Sequence, residues 1–172
     1  MKPYIPIVLG TARVGRQSEK VATFVHSVAQ SFDIEVEFID VKNFVEIPRT
    51  IPSWEESDKT IRWKEIAQRA SGFVFVIPEY NRSYPGEFKL LLDMAYREYE
   101  GKAVGVVGVS SGKIGGARMI EHLMAIFMYL QMKAVVPSVY VGLVEGLSLD
   151  DLKKQYTEEV EKMITKLISL IN

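Results

Sequence analysis

Five apolar runs rich in β-branched residues punctuate the chain, at positions 4–9, 34–39, 72–77, 103–109 and 134–141. The central ones, such as Phe73-Val74-Phe75-Val76-Ile77, are apolar at every position rather than at alternate ones. That is the pattern of strands covered on both faces. Segments with helical spacing separate the runs. Val21, Phe24, Val25 and Val28 mark the first, and a weaker one lies near 60–70. Phe88, Leu91, Leu92 and Ala95 mark the third, and Ile120, Leu123, Met124 and Phe127 the fourth. The last carries Leu152, Tyr156, Val160, Met163 and Leu167, with Ser148 placed to cap its start. Five strand–helix units in succession predict an α/β fold, a parallel sheet with helices on both faces. Right-handed crossovers leave few arrangements. The commonest at this length is a three-layer sandwich around a five-stranded parallel sheet of order 2-1-3-4-5.

Length and composition narrow the picture without changing it. The 172 residues suit a single domain spanning 1–172, with 48% hydrophobic and 25% charged positions. Residues 30–33 and 40–59 read as surface connections, the second long enough to reach toward a site or a partner subunit. Net charge is −1 and no basic run occurs, which argues against a nucleic-acid partner. With no cysteine in the chain, disulfides, thiolate metal sites and thiol catalysis are excluded together. The N-terminal apolar run is interrupted by Pro3 and Pro6, so it reads as a first strand and not as a secretory signal. No stretch approaches the ~20 apolar residues of a membrane span. A soluble, cytoplasmic protein is expected.

In such a sheet, the loops that follow the strands' C-terminal ends emerge on one side, and ligands bind there. Three of them carry candidate chemistry. The loop 10–18 holds Gly10, Thr11, Arg13, Gly15, Arg16, Gln17 and Ser18 ahead of a helix. Two guanidinium groups and two hydroxyls at a helix N-terminus fit an anion, since unpaired amides and the helix dipole favour negative charge there. The same residues fit a capped helix with two solvated arginines. No G-K-[ST] or G-x-G-x-x-G spacing is present. The second loop is the most informative: Pro78-Glu79-Tyr80-Asn81-Arg82-Ser83-Tyr84-Pro85-Gly86. Two tyrosines and an asparagine exceed what a structural turn needs. Successive backbone N–H groups at 79–81 are expected to meet the polar edge of a flat ring, with a tyrosine on its face. Glu79 as a lone loop carboxylate reads as solvated rather than as a general acid. The third loop, 110–118, offers Ser110, Ser111, Gly112, Gly115 and Gly116 for close backbone approach, or for a flexible turn.

Pro78-Glu79-Tyr80-Asn81 followed by Pro85-Gly86 resembles the NADPH-dependent FMN reductase family, which includes quinone, chromate and azo-dye reductases. Gly10-Thr11-x-Arg13 and Ser111-Gly112-x-x-Gly115-Gly116-x-Arg118 match it more loosely, and the likeness runs from Gly10 to about Leu130. The resemblance implies a flavodoxin-like fold that binds FMN, with NADPH or NADH as electron donor. By position it implies that Thr11, Arg13, Arg16, Gln17 and Ser18 surround the FMN phosphate. Pro78, Glu79, Tyr80 and Asn81 would contact the ring, and Ser111, Gly112 and Gly115 would flank its other side. Arg16 stands where many members have serine, Ser18 where many have asparagine, and Arg82 where many have glycine. Arg82 and Tyr84 are candidate substrate-binding residues. The flavin carries the chemistry, so no catalytic side chain and no metal are expected. His26 and His122 read as packing or surface residues. Small acceptors are the implied partners: a quinone, a free flavin, an azo compound or a metal oxyanion.

The fourth helical segment carries Met119, Ile120, Leu123, Met124, Ile126, Phe127, Met128 and Leu130, apolar around most of its circumference. Together with Leu90-Leu91-Leu92, Met94 and Tyr96 it predicts a homodimer or dimer of dimers, which also resembles the family's assembly. Two other functions fit the same fold: a flavodoxin-type electron carrier and a flavin-free scaffold. Carriers are commonly acidic to dock basic partners, whereas this chain is near neutral.

Overall fold

The computed structural model describes residues 2–45 and 57–171. Six parallel strands form its sheet: β1 (Tyr4–Leu9), β2 (Glu35–Asp40), β3 (Gly72–Pro78), β4 (Ala103–Val109), β5 (Lys133–Ala134) and β6 (Val139–Val141). The order is β2-β1-β3-β4-β5, with β6 also pairing β4. Helices α1 (Ser18–Ala29), α2 (Asp58–Arg69), α3 (Gly86–Leu92), α4 (Ala117–Tyr129) and α5 (Leu149–Ser169) cover it.

Every residue of β1 and β4 is buried, as the continuous apolar runs require. Strand β2, at the edge, is charged and half-exposed at its start and buried only at Ile39 and Asp40. Side chains alternate across the sheet. Phe73, Phe75 and Ile77 join Trp63, Phe88, Tyr99 and Phe127 under α2, α3 and α4. Val74 and Val76 join Phe24, Val25, Val160, Met163 and Leu167 under α1 and α5. The first layer is largely aromatic, and Trp63 Nε1 donates to the Tyr99 hydroxyl at 2.7 Å inside it. Full burial pushes the Tyr99 phenol above its ordinary range. Ser148 caps α5 through a reciprocal pair with Asp151, as its position suggested.

Two expectations need correction. The run 134–141 is not one strand: it divides into β5 and β6 around Pro137, which has no N–H to give a ladder. The apolar girth of α4 is largely used within the chain. Met119, Ile120, Leu123 and Phe127 are buried and Met124 and Ile126 pack against the core, leaving Met128 and Tyr129 at 77% and 71% exposure. The reach assigned to 40–59 lies mostly outside the described residues.

Candidate functional site

Strand order reverses between β1 and β3, so the loops leaving their C-terminal ends diverge and open a crevice. A cleft of about 100 Å³ lies there. Arg13, Arg16, Gln17 and Ser18 form one wall, Pro78, Glu79 and Tyr80 the second, and Ser110 with Ser111 the third. Val144 and Glu145, from the connection between β6 and α5, close it. Eight of the twelve cofactor-contact residues expected from sequence thus meet in one place. Thr11, Asn81, Gly112 and Gly115, and the two substrate candidates Arg82 and Tyr84, do not line it.

The first wall is held from behind. The Arg16 side chain is 5% exposed, and its guanidinium makes a bidentate pair with Asp40 at the end of β2, with Nη1 2.8 Å from Oδ1. The same Nη1 donates to the Thr11 carbonyl, and Nε to Glu19 at 3.3 Å. Four of the five guanidinium N–H groups are therefore committed to the protein. Arg16 serves as a strut between β1, β2 and α1, with one N–H left over. Burial raises the Asp40 carboxyl, but hydrogen bonds from Arg16 and from the Lys42 amide and ammonium outweigh it and hold it below its ordinary range. Bonding to Asp40 raises Arg16 in turn.

Thr11 is fully buried, and its hydroxyl is saturated. It donates to Glu87 Oε1 at 2.8 Å and accepts from the Tyr80 hydroxyl at 2.7 Å and the Arg13 amide at 3.3 Å. One donor and two acceptor sites are all a hydroxyl has. The Thr11 hydroxyl therefore has a structural part in this arrangement. It locks Tyr80, on whose ring Arg13 rests 5.1 Å from the centroid. Glu87, in the first turn of α3, anchors this network and also accepts from the Ala12 amide at 3.0 Å. Sequence reading missed it. Gly10 likewise serves packing, since a Cβ there would fall 2.1 Å from Ile77 Cδ1.

Residues 80–83 form a tight turn in which Tyr80 and Ser83 exchange backbone bonds at 2.8 and 2.9 Å. Asn81 and Arg82 both have positive φ, at 48° and 66°, as a type I′ turn requires. The row of free amides expected at 79–81 is consequently reduced. The Glu79 N–H goes to Val109 and the Tyr80 N–H to Ser83. The Glu79 carboxylate accepts from the Met119 amide at 3.3 Å, at the start of α4. Tyr84 packs against the aromatic layer, and Arg82 is exposed at the turn. His122 Nδ1 lies 3.2 Å from the Ser83 hydroxyl. In the third loop Gly115 has φ +58°, and a Cβ there would lie 2.4 Å from the Tyr140 backbone. Close approach at this glycine is made by the chain itself.

What remains open to a ligand is specific. No side chain caps the first turn of α1. Ser18, its first residue, is 2% exposed and its hydroxyl has no partner. A buried hydroxyl without a partner costs free energy unless something binds it.

The sequence profile of the NADPH-dependent FMN reductases matches residues 3–146. The chain belongs to this family. A quinone reductase of Pseudomonas putida is 28% identical to this FMN reductase family member over 144 residues, 80% of this chain and 77% of its own. An FMN-dependent NADPH-azoreductase of Staphylococcus haemolyticus is 28% identical over 179 residues, 96% of this chain and 94% of its own. A flavoenzyme NAD(P)H:(acceptor) oxidoreductase of Paracoccus denitrificans shares the fold with a TM-score of 0.79, at 21% identity and 98% coverage of both chains.

Proposed function

We propose that this reductase is an FMN-dependent NAD(P)H oxidoreductase that passes hydride from a reduced nicotinamide to small acceptors such as quinones. The observation that carries the reading is the partnerless Ser18 hydroxyl at the uncapped N-terminus of α1, beside Arg13. Those donors suit the phosphate of FMN. When bound, the flavin supplies the hydride chemistry. Pockets that enclose a whole ligand run to roughly 300–1,000 Å³. At about 100 Å³ the cleft fits the tail of the molecule and leaves the ring to the open rim of Tyr80 and residues 110–111. An open rim favours broad acceptor access.

Within this reading Arg13, Gln17 and Ser18 bind the tail. Pro78, Glu79, Tyr80 and Ser111 border the ring, and Tyr80 is oriented by Thr11. Arg82, exposed at the turn, meets an acidic acceptor or the phosphates of the donor. The family match and the azoreductase and quinone-reductase relatives support this over an electron carrier. Exposed Tyr96 and Tyr129, their rings 6.0 Å apart, form the proposed homodimer contact, with exposed Met128 next in the chain to Tyr129. The lack of cysteine suits a reducing cytoplasm. The test is a titration of the purified chain with FMN, followed by NADPH oxidation over a panel of quinones and azo dyes. Saturable quenching of flavin fluorescence and acceptor-dependent turnover are expected. Absence of FMN binding at millimolar concentration overturns the reading.

A further inference from the structure

The cleft's charges balance. Its charged wall residues are Arg13, Arg16, Glu79 and Glu145, two of each sign. Asp40 then places a carboxylate directly on Arg16, with Nη1 to Oδ1 at 2.8 Å, and Glu19 adds another on Nε at 3.3 Å. Lys42 returns one cation, 3.2 Å from Asp40. A phosphate monoester carries about −1.5 to −2 charge at pH 7. It would enter a site whose only guanidinium without a carboxylate partner among the described residues is that of Arg13, which is exposed.

We infer that Asp40 and Glu145 act as counter-charges that weaken the hold on the flavin phosphate, so that FMN exchanges with solvent instead of remaining a resident group. This rests on the reading that the cleft takes the phosphate tail. The tail is then held by the Ser18 hydroxyl, the amides of the first turn of α1 and the one unpaired guanidinium, that of exposed Arg13. The hydrogen bonds discriminate FMN from riboflavin, while a single solvent-screened cation supplies only modest attraction. Glu145 lines the cleft itself, whereas Asp40 stands behind its wall. Asp40 acts through Arg16 at the end of β2, and Glu145 sits across the cleft after β6. Both are positioned to set the flavin's residence time without touching its ring.

The experiment uses the whole chain and two variants, Asp40→Asn and Glu145→Gln, titrated with FMN and separately with riboflavin, which lacks the phosphate. Wild type loaded with FMN is expected to lose most of it on dialysis. Glu145→Gln is expected to lower the FMN dissociation constant roughly three- to tenfold, and a folded Asp40→Asn to move it in the same direction. Riboflavin affinity stays unchanged in both. If Asp40→Asn does not fold, as judged by circular dichroism, Glu145→Gln decides alone. Retention of one FMN per wild-type chain through dialysis overturns the proposal. So does FMN binding in Glu145→Gln that is no tighter than wild type, or an equal gain for riboflavin. A wild-type chain that binds neither flavin overturns the preceding reading instead.

Discussion

Glu87 is the residue whose loss should reveal how the cleft is supported. Its Oε1 accepts from the buried Thr11 hydroxyl at 2.8 Å and from the Ala12 amide at 3.0 Å. In Glu87→Ala the hydroxyl can turn only toward Tyr80, and the half-buried Ala12 amide loses its partner. An unsatisfied buried donor costs about 1–3 kcal/mol, and bonds to a charged acceptor contribute about 1.5–3 kcal/mol. Because the hydroxyl retains one alternative, the expected loss is about 2–3 kcal/mol for the pair. At ~2–4 °C per kcal/mol for a chain of this size, the midpoint should fall by roughly 4–12 °C. Glu87→Gln keeps an Oε1 that can accept from both donors, so it should lose about 1 kcal/mol or less. Urea unfolding of the flavin-free protein measures both. A loss below about 0.5 kcal/mol in Glu87→Ala, or an equal loss in Glu87→Gln, would refute the claim that this carboxylate anchors the loop.

Other perturbations separate binding from stability. Ser18→Ala should leave the flavin-free protein as stable as wild type or about 0.5–1 kcal/mol more so, while weakening FMN about fivefold; opposed signs in unfolding and titration are the signature. Arg82→Gly should gain about 0.5–1 kcal/mol, because φ at Arg82 is 66°, a conformation glycine adopts freely. Lower stability on thermal unfolding would contradict the turn assignment. Gly115→Ala meets both a positive φ and the Tyr140 backbone, and should lose at least about 2 kcal/mol in the same assay. Asp40 titrates below its ordinary range when folded, so its contribution is complete above the unfolded pKa and disappears as pH falls through the folded one. Stability should therefore decline more steeply below about pH 4 in wild type than in Asp40→Asn, and parallel profiles would count against the clamp.

The sheet was legible because its strands are buried on both faces, which writes itself as uninterrupted apolar runs. The wall residues at 78–80 and 13–18 were legible because loops after parallel strands converge. The same reasoning, extended to the fifth strand's loop, would have reached Val144 and Glu145. What the sequence hides is pairing across distance. Nothing local marks Asp40 as the partner of Arg16, 24 positions earlier, or Glu87 as the partner of Thr11, 76 positions earlier. A threonine and an arginine beside a helix start read equally well as ligand donors or as struts. Only the saturation of their hydrogen-bonding capacity distinguishes the two.

The two sides of the crevice differ in how much they can vary. Where the third loop passes over the sheet, the Gly115 carbonyl lies 2.3 Å from where a Cβ on Gly108 would stand, and Gly115 itself is pressed against Tyr140. Three passes of chain are nested there with no space for a side chain. That bank can neither yield to a bulky acceptor nor be remodelled by single substitutions. The opposite bank ends in an exposed hairpin tip at Asn81 and Arg82 that touches little else. Changes in which compounds this reductase accepts, whether selected in nature or at the bench, should accumulate on the tip and leave the glycine-nested side untouched.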